Sequence, residues 1–249
     1  MEFTKGKDSH RKKSLRALRK GVWLMKREEQ SNRVRARILE VSRRLFVNEG
    51  YEKATIRRII DEADITTGSL YHFFKNKEEI LLAIAGEVFT EAGEIAERIV
   101  GEMDPPLVFA MEVGIQFYLC QKKLSIAETY LAAYRTQGVT EMIGNRGAKR
   151  SQVLFEKYNI DFDHQDYLIR TLAFRGVFQS LLEEMVYSGQ IDRIRMMSTV
   201  IELGLSTFGV PKEEVEIAVE KTFRLLRERS GEIEALAEGL IDIFVNGHR

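Results

Sequence analysis

The sequence has little cysteine, little proline and no long apolar run. Cys120 is the single cysteine among 249 residues, which excludes an intramolecular disulfide and is compatible with a reducing cytosol. No apolar run approaches the ~18 residues that span a bilayer, and the charged N-terminus lacks the apolar segment of a secretory signal. Three prolines, with few clusters of β-branched residues, favour helices throughout. We therefore expect an all-α, cytoplasmic protein with no membrane partner.

The net charge is zero, but the charges are unevenly distributed along the chain. Residues 1–77 contain 20 Lys and Arg against 10 Asp and Glu, whereas residues 78–249 contain 18 against 28. A basic first third on an acidic body suggests that a polyanion binds the N-terminal part only. The alternative is a chance clustering of solvated charges.

Two short helices are predicted around residue 65, after an amphipathic helix over residues 33–48. Thr55 can cap the first, whose apolar residues follow the spacing i, i+3, i+4, i+7 of a helix with one buried face: Ile56, Ile59, Ile60 and Ala63. The segment DIT at 64–66 breaks this helix, and a second runs from about Thr67 to Phe73. These lengths are typical of a helix-turn-helix, whose second helix lies in the major groove of DNA.

This hypothesis assigns a side to each residue of the two helices. The inward residues are Ile59, Ala63, Ile65, Leu70 and Phe74. The residues expected to face the DNA are Thr66, Thr67, Gly68, Ser69, Tyr71 and His72. Their small side chains let the helix end approach phosphates, to which backbone N–H groups donate, and Lys75 and Lys77 add positive charge beside it. The alternative is an ordinary helical hairpin with a solvated tyrosine and histidine.

Three motifs follow one another between residues 33 and 81. They are the segment LF-x-x-x-GY-x-x-x-T that begins at Leu45, the apolar helix after it, and the run GSLYHFFKNKEEIL that begins at Gly68. Together they resemble the DNA-binding region of the TetR/AcrR family of bacterial transcriptional regulators. One departure is Asp64, where the family commonly has a glycine in the turn. Aspartate tolerates the left-handed conformation better than most residues.

The resemblance implies a homodimer with a three-helix DNA-binding domain and a larger, all-helical effector-binding domain. The domains would be a basic extension at 1–30, the helix-turn-helix domain at 31–77, and the effector-binding and dimerisation domain at 78–249. The DNA contacts that the resemblance implies are Thr55, Thr66, Thr67, Gly68, Ser69, Tyr71, His72 and Lys77.

The rest of the chain is predicted to be helical. Asn76 starts a long helix, with Glu79 placed to complete a capping box, and the helix ends at about Met103 before two prolines. Further helices are predicted at 107–121, 125–137, 148–158, 164–188, 191–207, 211–229 and 231–246. The segment GNRG at 144–147 is expected to separate two of them. Helices 164–188 and 231–246 are apolar over a wide arc, which suggests the dimer interface. Residues 190–230 are interpreted as an added pair of helices.

A ligand cavity is the second expected site. The residues expected to line it are Met111, Phe117, Tyr118, Tyr130, Tyr134, Phe174, Arg175 and Phe178. Aromatic side chains at helical spacing are more often core than ligand contacts, and we expect about a third to touch a ligand. Arg175, on an otherwise apolar face, would snorkel to water, pair with a glutamate or meet an acidic group.

No enzymatic chemistry is indicated. The sequence has no nucleophile–base pairing, phosphate-binding glycine loop or zinc spacing, and we expect no cofactor and no metal. An acidic cluster at 161–166 lacks the glycine and glutamate of a calcium loop and is interpreted as a helix start.

The sequence therefore favours a ligand-responsive transcriptional regulator. We expect a repressor that a small, mostly apolar molecule releases from a palindromic double-stranded DNA operator, with residues 1–30 adding phosphate or minor-groove contacts. The alternative is an all-helical interaction protein, or a DNA-binding protein of the same fold that responds to no ligand.

Overall fold

The structure is a computed structural model that describes residues 5–101, 104–229 and 231, with the backbone alone for residues 5–26. In this part of the chain every regular element is helical, and no helix is both long and apolar enough to cross a membrane. The α-helices are α1 (Lys5–Glu49), α2 (Ile56–Ala63), α3 (Thr67–Phe73), α4 (Lys77–Val100), α5 (Pro105–Lys122), α6 (Leu124–Arg135), α7 (Gln137–Met142), α8 (Ala148–Phe155), α9 (His164–Tyr187), α10 (Arg193–Thr207) and α11 (Lys212–Glu228).

The N-terminal helices pack together, and threonines cap α2 and α3, of which only the Thr55 cap was expected. Oγ1 of Thr55 accepts from the Arg58 N–H at 3.3 Å, and Oγ1 of Thr66 accepts from the Ser69 N–H at 3.1 Å. Four of the five residues predicted to point inward are buried, and Ile65 is half-buried; the buried ones are Ile59, Ala63, Leu70 and Phe74. Local sequence signals thus position the two short helices.

Helix α1 is longer than the sequence pattern indicated. It begins at Lys5, so the basic lead at 1–30 is helical where it is described, and the expected boundary between residues 30 and 31 lies within one continuous helix. Helix α4 begins at Lys77 and ends at Val100, three residues before the expected end. Asn76 caps it, but the Glu79 carboxylate accepts from the N–H of Lys75, not of Asn76. The domain boundaries themselves remain predictions.

The segment GNRG at 144–147 does not interrupt the helical structure, so the expected break between helices there was wrong. A π-helical turn over Ile143–Gly147 joins α7 to α8. Its glycines serve close packing against α9: a methyl group on Gly144 would lie 3.2 Å from a Leu168 methyl carbon, and one on Gly147 2.9 Å from Cγ2 of Thr171. Two helices approach more closely where one presents no side chain, so these glycines sit inside a helix despite their low propensity.

The larger domain packs around α5. Its helix α9 begins with a capping box between Asp163 and Asp166, which confirms the helix start expected from the acidic cluster. Helices α10 and α11 lie within residues 190–230, where an added pair of helices was expected. Both pack on α5. Helix 231–246, which the dimer prediction used, lies outside the described residues apart from residue 231.

The turn residue Asp64 gives a test of local strain. Its φ of 53° and ψ of 53° place it in the left-handed region. A β-branched residue there should clash with the following carbonyl, so Asp64→Val should lower the free energy of unfolding by about 1–2 kcal/mol. Asp64→Gly should stay within about 1 kcal/mol of the wild type. The measurement is urea unfolding.

The matched control is Asp61→Val, the same substitution at an exposed right-handed position of α2. Equal losses at both positions would show that the left-handed turn imposes no particular requirement on residue 64.

Candidate nucleic-acid interface and ligand cavity

The residues predicted to face DNA form one exposed row along α3. Six of them are exposed and Ser69 is half-buried; the exposed ones are Thr66, Thr67, Gly68, Tyr71, His72 and Lys75. Tyr71 keeps half of its surface exposed, although it is a large hydrophobic side chain. An exposed tyrosine beside small residues and a lysine offers hydroxyl and ammonium donors to phosphate oxygens.

Of the predicted DNA contacts, Thr55, Thr66, Ser69 and Lys77 form side-chain hydrogen bonds within the protein. Thr55 and Thr66 cap α2 and α3, and Oγ1 of Thr66 also lies 2.8 Å from Oγ of Ser69, which leaves the Thr66 hydroxyl limited free hydrogen-bonding capacity. Their position at the helix starts is therefore explained by local structure before any ligand is considered.

Lys77 is held inside the N-terminal domain. Its ammonium donates to the carbonyl of Tyr51 at 2.8 Å and to that of Ala54 at 3.0 Å, and it lies 4.0 Å from the centre of the Tyr51 ring. Burial lowers the pKa of Lys77. This lysine joins the start of α4 to the loop between α1 and α2, a role that the sequence pattern did not reveal.

The N-terminal domain is tied to the body at two places. Arg43 on α1 forms an ion pair with Glu87 on α4. At the end of α1, Oγ1 of Thr129 donates to the carbonyl of Phe46 at 3.2 Å, and Oγ of Ser125 donates to that of Val47. Two side chains of α6 thereby donate to carbonyls in the last turn of α1, where the Phe46 carbonyl also accepts from the N–H of Gly50 at 2.9 Å.

A cavity of about 310 Å³ lies within the larger domain. Helix α4 forms one wall through residues that recur at helical spacing, which are Gly86, Phe89, Thr90, Gly93, Glu94 and Glu97. Helices α5, α8 and α9, the π-helical turn and Phe208 supply much of the remaining wall. Helix α4, which follows α3 in the chain, is therefore also a wall of the cavity.

An arginine bridges three helices at this cavity. Arg150 on α8 donates to Glu112 on α5 at 2.8 Å and to Glu97 on α4 at 3.0 Å. It can lie against α4 because Gly93 has no side chain: a methyl group there would lie 3.1 Å from Nη2 of Arg150. Burial raises the pKa of the Glu112 carboxyl, and the charge of Arg150 opposes that shift.

Four polar atoms at the cavity are buried and have no hydrogen-bond partner among the described residues. They are Oε1 of Gln116, Oγ1 of Thr171, Nη2 of Arg150 and Nε of Arg175, and all four residues line the cavity. An unpaired buried polar atom costs about 1–3 kcal/mol. Such atoms gathered around one cavity indicate a site that a polar molecule can complete.

The structure brings three of the eight predicted effector residues to the cavity, namely Tyr134, Phe174 and Arg175. The other five are not among its lining residues: Met111, Phe117, Tyr118, Tyr130 and Phe178. Met111 and Phe117 are fully buried in the core, and Phe178 stacks on Tyr134 with ring centres 5.2 Å apart. Arg175 donates to the Tyr134 carbonyl and has no ion-pair partner within the described residues.

Sequence reasoning missed most of the polar lining. Glu112 and Gln116 stand one turn apart on α5, and Arg146 and Arg150 one turn apart around the π-helical turn. A polar pair four residues apart within an apolar helix such as α5 was the available signal.

Comparisons with known proteins support the resemblance. Residues 38–84 match the family model for bacterial regulatory proteins of the tetR family. The match covers the last part of α1, all of α2 and α3, and the start of α4. The resemblance read from the motifs is thus confirmed.

Curated relatives match one part of the chain. It is 40% identical over 65 residues to the transcriptional repressor AcnR of Corynebacterium efficiens, covering 26% of this chain and 33% of AcnR. It is 42% identical over 52 residues to the repressor KstR2 of Mycobacterium tuberculosis, covering 21% and 26%. The chain thus spans about a third or less of the length of these curated relatives.

Solved structures extend the likeness to the fold of the larger domain. RolR in complex with resorcinol matches with a TM-score of 0.60 at 20% identity, covering 77% of this chain and 95% of RolR. FadR of Bacillus subtilis in complex with stearoyl-CoA matches with a TM-score of 0.51 at 17% identity, covering 69% and 97%. At this identity the match shows the fold alone, and the all-α fold class with an N-terminal helix-turn-helix is confirmed.

The ion pairs of Arg150 can be tested by unfolding. Arg150→Met leaves the mostly buried carboxylate of Glu112 without its partner, and the free energy of unfolding should fall by about 1–3 kcal/mol. Adding Glu112→Gln should recover part of the loss, because the unpaired charge is then removed. Lys149→Met, an exposed neighbour on the same helix, is the control. Wild-type stability of Arg150→Met would mean that the bridge does not hold α4, α5 and α8 together.

Proposed function

We propose that this protein is a ligand-responsive, DNA-binding transcriptional regulator, and that it acts as a repressor. The observation that carries the proposal is the exposed row on α3, from Thr66 to Lys75, in a domain of the tetR family. Matching relatives are named transcriptional repressors, and the basic excess of residues 1–77 favours a phosphate-bearing partner.

The response to a ligand would pass through α4. This helix has 24 residues, which corresponds to about 36 Å at 1.5 Å per residue. Its first residues follow the recognition helix directly, and its later residues line the cavity. A small, mostly apolar ligand that favours one tilt of α4 would change the separation of the recognition helices in a dimer, which must match about one duplex turn, roughly 34 Å.

A homodimer would supply the second recognition helix of a palindromic operator. Helix α9 carries exposed apolar side chains along one side, with Ile169, Leu172 and Tyr187 exposed by 63%, 38% and 68%. Exposed apolar surface of this kind marks an interaction site. The basic helical lead at the start of α1 would add phosphate contacts beside the core motif.

DNA binding through α3 can be tested by its dependence on salt. Tyr71→Ala with Lys75→Ala should weaken binding to all sequences and make the salt slope shallower by about one unit, because Lys75 would neutralise a phosphate whereas the uncharged Tyr71 displaces no counterion. Lys75 is chosen because the ammonium of Lys77 is engaged within the domain. Operator sequences would first be selected from a random duplex library, and binding then measured at several salt concentrations.

The control is Lys149→Ala, which removes an exposed lysine from the body and should leave the slope unchanged. Thr67→Ala should instead alter which sequences are preferred. Wild-type binding by the double variant at matched salt would place the DNA interface elsewhere.

Ligand control can be tested by reciprocity. Library molecules that bind the cavity should lower operator affinity, and operator should lower their affinity by the same factor. Arg175→Leu should weaken those ligands that place an acidic group or another acceptor oxygen on the guanidinium. Both affinities would be measured by titration. Ligands that bind tightly but leave operator affinity unchanged would contradict the proposed role of α4.

A further inference from the structure

The chemistry of the cavity wall narrows the class of ligand. Its apolar part is formed largely by aromatic rings, including Phe89, Phe109, Tyr134, Phe174 and Phe208. Phe109 lies centrally among them, with its ring centre 5.3 Å from that of Phe174 and 5.8 Å from that of Phe208. Rings pack well against rings in edge-to-face and offset geometries, so this wall favours an aromatic molecule.

The volume sets the size of that molecule. The cavity measures about 310 Å³, which is about twice the roughly 150 Å³ that accommodates one benzene ring. A compound of about two fused rings therefore suits the space.

Charge on the wall is already balanced. Arg150 is paired with both Glu97 and Glu112, and the lining contains three arginines and three glutamates in all. A carboxylate ligand would lose its hydration on entering this space, and that loss is costly unless the geometry of its pairing is excellent. Arg146 and Arg175 have no carboxylate partner within the described residues, and Nη2 of Arg175 is engaged by the Tyr134 carbonyl.

The unpaired polar atoms of the wall favour a ligand that carries a hydroxyl group. Gln116 and Thr171 are 5% and 6% exposed, and Oε1 of Gln116 and Oγ1 of Thr171 have no hydrogen-bond partner among the described residues. The Oε1 of Gln116 accepts, so it needs a donor, which a carboxylate does not have. A hydroxyl group donates through its proton and still accepts through its oxygen, so it can satisfy Gln116 and receive a bond from Thr171 or from Nε of Arg175.

We propose that the cavity binds an uncharged aromatic compound of about two fused rings that carries a hydroxyl group, and that Gln116 and Thr171 recognise the hydroxyl. This inference rests on the proposed function in taking the cavity as the effector site. It adds the class of ligand and two specificity residues, neither of which was expected from the sequence.

The test uses three probes of one shape on the full chain without DNA: 2-naphthol, naphthalene and 2-naphthoate, measured by calorimetric titration at neutral pH. Naphthol should bind about tenfold more tightly than naphthalene, as expected for one or two net hydrogen bonds to buried groups. Naphthoate should bind more weakly than naphthol. Equal affinities of naphthol and naphthalene, tightest binding of naphthoate, or no binding by any probe would overturn the proposal.

Variants then assign the preference to residues. Gln116→Leu and Thr171→Val, separately and together, should reduce the preference for naphthol over naphthalene while leaving naphthalene affinity nearly unchanged. Gln121→Leu on the same helix is the control, because Gln121 donates to the Arg193 carbonyl away from the cavity. Variants that retain the full preference would contradict the assignment.

A second measurement separates recognition from a structural role. Gln116→Leu replaces an unpaired buried amide by an apolar group of similar size, so the melting temperature without ligand should stay equal or rise. A lower melting temperature would mean that Gln116 is part of the fold and not a ligand contact. Tight, Gln116-dependent binding of naphthol with no change in operator affinity would support this inference and count against the proposed function.

Discussion

Helix α4 packs against the N-terminal helices near its start and lines the cavity near its end, and this double role constrains the whole molecule. Ile80 and Ile84 are buried in the continuous apolar core that also includes Leu70 of α3, while Gly93 and Glu97 line the cavity. An α-helix rises 1.5 Å per residue as one continuous hydrogen-bonded element, so under the proposed function a displacement at the cavity would be carried to the other end. The hydrogen bonds from α6 to the last turn of α1 form a second tie between body and N-terminal domain, so the orientation of α3 depends on both connections.

Glycines determine how closely the helices around the cavity approach. Gly93 lets the guanidinium of Arg150 rest against α4, and Gly144 and Gly147 let the π-helical turn approach α9. π-helical turns are rare and occur frequently at functional sites; here the turn supplies Arg146 to the cavity wall. Where a helix presents a glycine, a charged side chain of a neighbouring helix has room to pack against its backbone. Arg150 uses such a position and joins α4, α5 and α8.

Local signals in the sequence were sufficient for the N-terminal domain. Thr55 and Asn76 cap α2 and α4 where expected, and Thr66 caps α3; each cap is completed by a backbone N–H only three residues away. Asp64 adopts the left-handed conformation that the turn requires. The predicted inward residues are buried apart from half-buried Ile65, since a short helix with one apolar face has a single way to bury it.

The sequence alone thus determined helix class, caps and the exposed row of α3, all of which depend on neighbours a few positions away. The tertiary structure decided which residues meet across helices. Met111 and Phe117 have the same apolar character as Phe174, yet only Phe174 reaches the cavity. Lys77 turns to the carbonyls of Tyr51 and Ala54, more than twenty residues earlier. Such contacts depend on the crossing of helices distant in sequence, which periodicity within one helix does not specify.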